Sequence, residues 1–590
     1  LGRVVRPLLR VSPGSAPNAN AAPSGGWTLQ LCAGVAIMLA LSHGIGALGL
    51  FGGRGGMLVA WTPVVVGVLT LFDQTRRREN RPELWGAVPA TALLGLPGAA
   101  ILIVAACAPP GTLWSSEARG YDTLSYHLQL PREWLEQSRI APLEHNVYSC
   151  LPSYVEAGFT HLAAMLAPGA RALTDDVGRA VFAAQILHAL IAIASAAALG
   201  RLVVLLTASR GDPPALSRAS IRAGGMAAAA LLVTPWVIVV GSMAYNGLVV
   251  VLMLIGALVA AREQACTPFA RGLLVGGLMG AAVCAKLTAS YMAVPVVALA
   301  MLLWIPRASW LIAFSAAAGA GLLYLAPFLV RNAIWLGNPV FPFATSLLGS
   351  AHWTSEQVAR WNSAHHPPIG WLDRLALLVG APRGALHPQW FIFFPAAIVA
   401  GALALRDRAV RSTSLFLLGA LAMQVIAWLS FGHLQPRFLL PAAPIAAAMI
   451  GLAAASIMRT RAANSPETEQ SGWWRNKWIV LIACAIAALA GASTLNFLSQ
   501  NSARPNIALA TGVGAINGAL AESAAVRMDG AERRDLLDSL SPPALINLAF
   551  DAPSSPTRLY LLGDATPFYF HPPLIYNTTW DTWPLAESLR

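Results

Sequence analysis

Residues 27–51, WTLQLCAGVAIMLALSHGIGALGLF, carry no Asp, Glu, Lys or Arg, and the reading of this run decides the fold. The apolar core of a cleaved signal peptide is about 7–15 residues long. This run is too long for one, and matches the roughly 20 residues that cross a hydrocarbon core as a helix. We read it as a first membrane span. Residues 1–26 before it are rich in Pro, Gly, Ser, Ala and Asn, carry Arg3, Arg6 and Arg10, and hold no acid. They are expected to form a disordered basic leader on the cytoplasmic side.

Comparable apolar runs follow at roughly 56–73, 88–108, 177–200, 223–241, 243–261, 272–285, 287–305, 309–330, 390–405, 412–431, 438–458 and 478–498. With 56% hydrophobic and only 11% charged residues, the chain is too apolar for a string of soluble domains. The expectation is an all-α polytopic membrane protein of about 13 transmembrane helices. The run 272–285 is short, and reads as a broken or tilted pair with its successor. Residues 27–498 are taken as the transmembrane domain. The six cysteines, Cys32, Cys107, Cys150, Cys266, Cys284 and Cys484, form no CxxC pair, so neither a disulfide framework nor a zinc site is indicated.

Sidedness follows from charge. With the N-terminus in the cytoplasm, the inside segments hold the leader arginines, Arg76–Arg78 and Arg81, Arg201, Arg210, Arg218, Arg222, Arg262, Arg271, Arg307, Arg406, Arg408, Arg411, Arg459, Arg461, Arg475 and Lys477. That is more than half of the 39 basic residues with fewer than a third of the 27 acids, so the net charge of +12 lies on short loops of one face. This is the positive-inside pattern. A nucleic-acid footprint would instead gather its charge into one patch, and no nucleic-acid partner is expected.

Three long segments are then placed outside: 109–176, 331–389 and the tail 499–590. The first holds GYDTLSYHLQLPREWLEQSRIAPLEHNVYSCLPSYVEAGFTHLAAML, residues 120–166, with Asp122, His127, Glu133, Glu144, Glu156 and His161 packed between apolar runs. Pro131 opens a short helix whose Trp134, Leu135 and Arg139 suit the membrane interface. In the tail, the run 558–564 reads as a strand ending in a glycine turn, part of a small α/β segment. The chain stops at Arg590 inside a helical pattern.

A large first outer loop with an early Asp, a later Arg331-Asn332 leading to Gly337-Asn338-Pro339, and Arg437-Phe438-Leu439-Leu440-Pro441 opening a late span together resemble the GT-C superfamily of integral membrane glycosyltransferases. The nearest pattern is that of the protein O-mannosyltransferase and aminoarabinose transferase relatives. The resemblance covers residues 27–460. It implies an inverting glycosyltransferase of the bacterial inner membrane, with a polyprenyl-phosphate-linked sugar as donor and a periplasmic acceptor. It also implies that Asp122 is the family's early acid. Members often have Asp-Glu there, where this chain has Asp122-Thr123.

The chemistry gives these residues tasks. A hydroxyl is a weak nucleophile at neutral pH, so a carboxylate within reach must take its proton; Asp122 is the candidate base, a helix-start cap being the bland alternative. The departing lipid phosphate needs a fixed cation, for which Arg437, Lys286 and Arg331 are candidates. Lys286 is one of two lysines in the chain, and a snorkelling role would also explain it. Arg331 also reads as an interfacial anchor, whereas Arg437 runs against the charge bias. His127, Glu144, Glu156, Tyr245, Asn246 and His433 are candidate substrate contacts; Glu133, Glu144 and Glu156 are alternatives to Asp122 as the base, otherwise read as solvated loop charges. His365 and His366 are adjacent and do not converge, so no metal is assigned; a divalent cation is left open.

Two other classes stay in view. A catalytically inactive scaffold subunit of a membrane assembly is favoured by the missing second acid, whereas a transporter is disfavoured by the lack of a two-fold repeat and of intramembrane charge.

Overall fold

The computed structural model describes residues 26–77, 89–107, 110, 113–114, 120–166, 177–208, 214–365, 369–379, 388–431, 434–464, 559–562, 565–570 and 574–582. The leader as far as residue 25, the run 478–498, His433, His366 and most of the tail lie outside the described residues.

The chain is a multi-pass helical membrane protein. Among the described residues, six helices are long and apolar enough to cross a bilayer: Gly26–Ala47, Ala180–Thr207, Pro268–Ala285, Arg307–Leu336, Arg411–Phe431 and Pro436–Thr460. A seventh span is made if the pair Arg218–Leu232 and Pro235–Gly241, bent by 62°, is counted as one. Five shorter apolar helices accompany them: Gly53–Leu69, Ala90–Ala106, Gly247–Arg262, Ala289–Trp304 and Phe393–Ala404. The bend in the run 223–241 has a local cause. Pro235 has no N–H to continue the helix, and it forces Thr234 into the extended region at ψ 117°.

Because lipid tails are as apolar as leucine, helices in a membrane are held by close packing of small residues. Pro268–Ala285 lies against Trp310–Leu336 in this way. A Cβ on Gly272 would stand 2.2 Å from the Ala313 carbonyl oxygen, and one on Gly276 would stand 2.0 Å from that of Ala317. Burial is graded across the bundle. In Pro436–Thr460, 89% of the apolar window is enclosed by protein, against 17% in Arg307–Leu336, whose Leu311, Leu322, Leu323 and Ile334 are exposed.

The described part of the tail is mostly irregular. The expected strand is present only as Leu559–Tyr560, paired in parallel with Leu574–Ile575. Its main structural contribution is as a clasp. Arg132 Nη1 donates to the carbonyls of Phe568 and Phe570, each at 2.9 Å. The Asp581 carboxylate accepts from the Val147 amide and from Trp353 Nε1, each at 3.0 Å. Gln357 Nε2 donates to the Trp580 carbonyl at 3.1 Å. One short stretch thereby ties two distant loops together.

The helix Gln129–Glu136 differs from its sequence expectation. Trp134 and Leu135 are buried in protein instead of resting in an interface, and Trp134 Nε1 donates to the Ala141 carbonyl at 2.8 Å. The helix packs against Tyr154–Leu166, and its Arg132 is bonded to the tail.

Candidate active site

The centre of the site is an ion pair between residues 315 positions apart: Arg437 Nη2 donates to Asp122 Oδ2 at 2.7 Å. Each side chain keeps 18% of its surface accessible, so the pair faces an opening and is not sealed in the core.

Local structure sets up each partner. Gly120, at φ +74°, makes the turn that leads into Asp122. One wide helical turn, Thr123–His127, follows, with Leu128 N bonded to the Thr123 carbonyl five residues back. Such π-type turns redirect side chains and are frequent at functional sites. This one brings Tyr126 to the Asp122 carboxylate as a hydrogen-bond donor, with His127 beside it.

Arg437 lies in a 3-10 turn, Pro436–Ala442, whose prolines break the helical ladder. Lys286 lies at another break: it is extended at φ −156°, between the helices Pro268–Ala285 and Ala289–Met292. One buried glutamine ties the two breaks together. Gln424 Nε2 donates to the Met292 carbonyl at 2.9 Å and to the Pro441 carbonyl at 3.1 Å. The two cations then share a ring, Lys286 Nζ standing 4.3 Å and Arg437 Cζ 5.4 Å from the centre of Phe438. Arg437 Cζ is also 5.7 Å from the Tyr245 ring.

A second polar unit adjoins the ion pair. His127 Nδ1 lies 2.5 Å from Glu156 Oε1, with both side chains almost fully buried. Asn246 Nδ2 reaches the same oxygen at 3.5 Å. The His127 ring lies 4.9 Å from that of Tyr245. Glu156 Oε2 is buried with no hydrogen-bond partner among the described residues.

Electrostatics follow from this geometry. Burial alone would raise the Asp122 carboxyl, but Arg437, His127, the Tyr126 hydrogen bond and Lys286 outweigh it and hold Asp122 below its ordinary value. Burial, with the Asp122 charge added, pushes the Tyr126 phenol well up, so it stays a neutral donor.

Of the sequence candidates, Asp122, His127, Glu156, Tyr245, Asn246, Lys286 and Arg437 are brought together. Arg331 is committed elsewhere. Its Nη2 donates to the carbonyls of Ser149 (3.2 Å) and Leu151 (2.8 Å), its Nη1 lies 3.3 Å from His43 Nε2, and Asn332 Nδ2 takes the Cys150 carbonyl at 2.7 Å. The Arg331-Asn332 pair is thus an anchor for the turn 149–151. Glu144 is exposed and shows no bond to the pair.

Two glutamates expected as solvated charges are buried. One is Glu156. The other, Glu133, bonds His145 Nε2 and Gln129 Nε2, each at 2.8 Å, and accepts from the Tyr576 hydroxyl of the tail. Burial raises its carboxyl, and these partners more than reverse that. The correction is physical: an acid in a loop stays solvated only until something distant in sequence covers it.

Tyr126, Tyr148 and Gln424 were missed in the sequence. The rings of Tyr126 and Tyr148 stack at 4.2 Å, and Trp580 Nε1 donates to the Tyr148 hydroxyl at 3.1 Å, linking the tail to the site. Two signals were available, a tyrosine four residues after Asp122 and a glutamine inside an apolar span. Among the described residues, no group of three or more His, Cys, Asp or Glu could hold a metal ion.

No protein-family model matches the chain, and no curated protein does. Among solved structures, the chain is similar to ArnT from Cupriavidus metallidurans, in its crystal structure bound to undecaprenyl phosphate. Identity is 14% and the TM-score 0.47, over 84% of this chain and 88% of that one.

Proposed function

We propose that the chain is an inverting transferase that moves a sugar from a polyprenyl-phosphate donor to an acceptor on the periplasmic side of a bacterial inner membrane. The observation that carries this reading is the meeting of Asp122, Arg437 and Lys286, with the Asp122–Arg437 pair not fully sealed in the core. Arg437 and Lys286 would take the donor phosphate. Both are held over Phe438, so little reorganisation is needed as charge develops on the leaving group. Asp122 keeps Arg437 oriented and stands beside the reacting centre. Tyr245 and Asn246 line the adjoining wall, where they suit hydroxyl groups of the sugar or acceptor. The sidedness rests on the charge distribution, since the short loops rich in arginine belong to the opposite face.

The test is transfer of radiolabelled sugars from a panel of synthetic short-chain polyprenyl-phosphate donors, comparing wild type with Asp122→Asn. A loss of about 100-fold or more in kcat is expected, typical of removing a charged group preorganised at the reacting centre. Equal turnover would remove Asp122 from the mechanism. No transfer from any donor in wild type, with the phosphate alone still bound, would favour the inactive scaffold.

A further inference from the structure

Asp122 is already spoken for by a guanidinium, and a carboxylate neutralised in this way is a weak proton acceptor. The neighbouring unit is different. We propose that His127, oriented by Glu156, is the proton acceptor of the transfer, with Asp122 serving as counter-ion to Arg437; this rests on the transferase reading above.

Three observations support it. The first is tautomer control. With Glu156 ionised, the 2.5 Å contact requires Nδ1–H to donate to Oε1, which leaves Nε2 as the lone-pair nitrogen. Nε2 has no hydrogen-bond partner among the described residues. A carboxylate that fixes a ring tautomer and steadies the imidazolium once formed is the arrangement that activates histidine bases elsewhere. The second is spare negative capacity, because Glu156 Oε2 is buried and unpartnered and no cation is bonded to the carboxylate among the described residues. The third is placement. The wide turn Thr123–His127 puts the ring next to the Asp122 carboxylate and 4.9 Å from the Tyr245 ring, on which Arg437 also rests. Imidazole is moreover the side chain whose ordinary titration lies nearest neutrality, where general-base efficiency is greatest.

The step balances simply. The acceptor oxygen bonds to the anomeric carbon as that carbon's bond to the phosphate oxygen breaks, and the bonding pair leaves with the polyprenyl phosphate. The acceptor's proton goes to His127 Nε2. The new imidazolium is held through Nδ1–H by Glu156.

The charged and titratable groups around His127 are Asp122 and Tyr126 on its own turn, Glu156, Tyr245, Lys286 and Arg437, and His188. His188 is committed as a neutral ring, its Nδ1 donating to the Met243 carbonyl at 2.8 Å and its Nε2 accepting from the Leu248 amide at 3.2 Å.

Two measurements test the proposal on the full chain in detergent. In the pH–rate profile of transfer from a short-chain polyprenyl-phosphate sugar, the acid limb should vanish in His127→Gln, with kcat down about 100-fold or more and KM for the donor nearly unchanged. In Glu156→Gln kcat should fall. Loss of the limb in Asp122→Asn, with the limb retained in His127→Gln, would overturn it. Nitrogen-15 NMR of labelled histidine, with the His127 signal assigned by its loss in His127→Gln, gives a readout without turnover. It should show Nδ1 protonated and Nε2 bare in the neutral ring. The opposite tautomer would sink the proposal. Failure of wild type to bind a short-chain polyprenyl phosphate would instead strike the donor reading, and leaves the NMR result to decide the dyad.

Discussion

Arg331 and Arg437 stand in similar sequence settings, each at the border of an apolar run. The structure uses them in opposite ways. Arg331 is buried, and its guanidinium is consumed by two backbone carbonyls, Asn332 Oδ1 and His43. Arg437 is partly open, with one carboxylate and two aromatic rings as neighbours. What a guanidinium does is set by its partners, backbone carbonyls for Arg331 and a carboxylate with two rings for Arg437, and not by position along the chain.

Substitutions should separate the two roles. The largest effect on folding is expected from Arg331→Met, which fits the space but leaves the Ser149 and Leu151 carbonyls unpaired in a dry interior. At about 1–3 kcal/mol for each stranded group, the expected loss is roughly 3 kcal/mol, read as a fall in the thermal midpoint in detergent. A midpoint close to wild type would show that these bonds do not hold the turn 149–151. Arg437→Ala should do the reverse. Binding of a short-chain polyprenyl phosphate should weaken and the transfer rate should fall by about 100-fold, while the thermal midpoint falls less than in Arg331→Met, since Asp122 keeps the Tyr126 hydrogen bond and the nearby Lys286 charge.

The smallest effect concerns the clasp. His145 would be lowered by burial, but its bond to Glu133 prevails and raises it above its ordinary value. Its contribution is therefore complete below about pH 6.5 and fades as pH rises through the raised folded value. Glu133 works in the other direction, its contribution fading only as pH falls through a value below the usual carboxylate range. Limited proteolysis within 574–582 should speed up modestly at alkaline pH, modestly because the imidazole is about one-third exposed. His145→Gln should flatten that dependence, and an unchanged profile would show that the Glu133 contact does not hold the tail.

Much of this architecture was legible in the letters. Apolar runs mark helices because the spanning chain must be apolar and internally hydrogen-bonded, and the polar density of residues 120–166 marked the site. Arg437 stood out by breaking the charge bias. What escaped had a common origin. Glu133 reads as solvated until Tyr576, 443 residues later, is laid over it. Arg331 reads as free because the carbonyls that occupy it are the same in every residue. The interface-like pattern of Trp134 and Leu135 is that of any amphipathic helix, and its letters do not say whether lipid or protein covers it.

The clasp also has a consequence for biosynthesis. The Val147 amide has to wait for a carboxylate made 434 residues later, and the Tyr148 hydroxyl for an indole 432 residues later. During translation the loop around Asp122 is therefore made long before the bonds that support it can form. Those bonds are complete only in chains whose synthesis has passed Asp581.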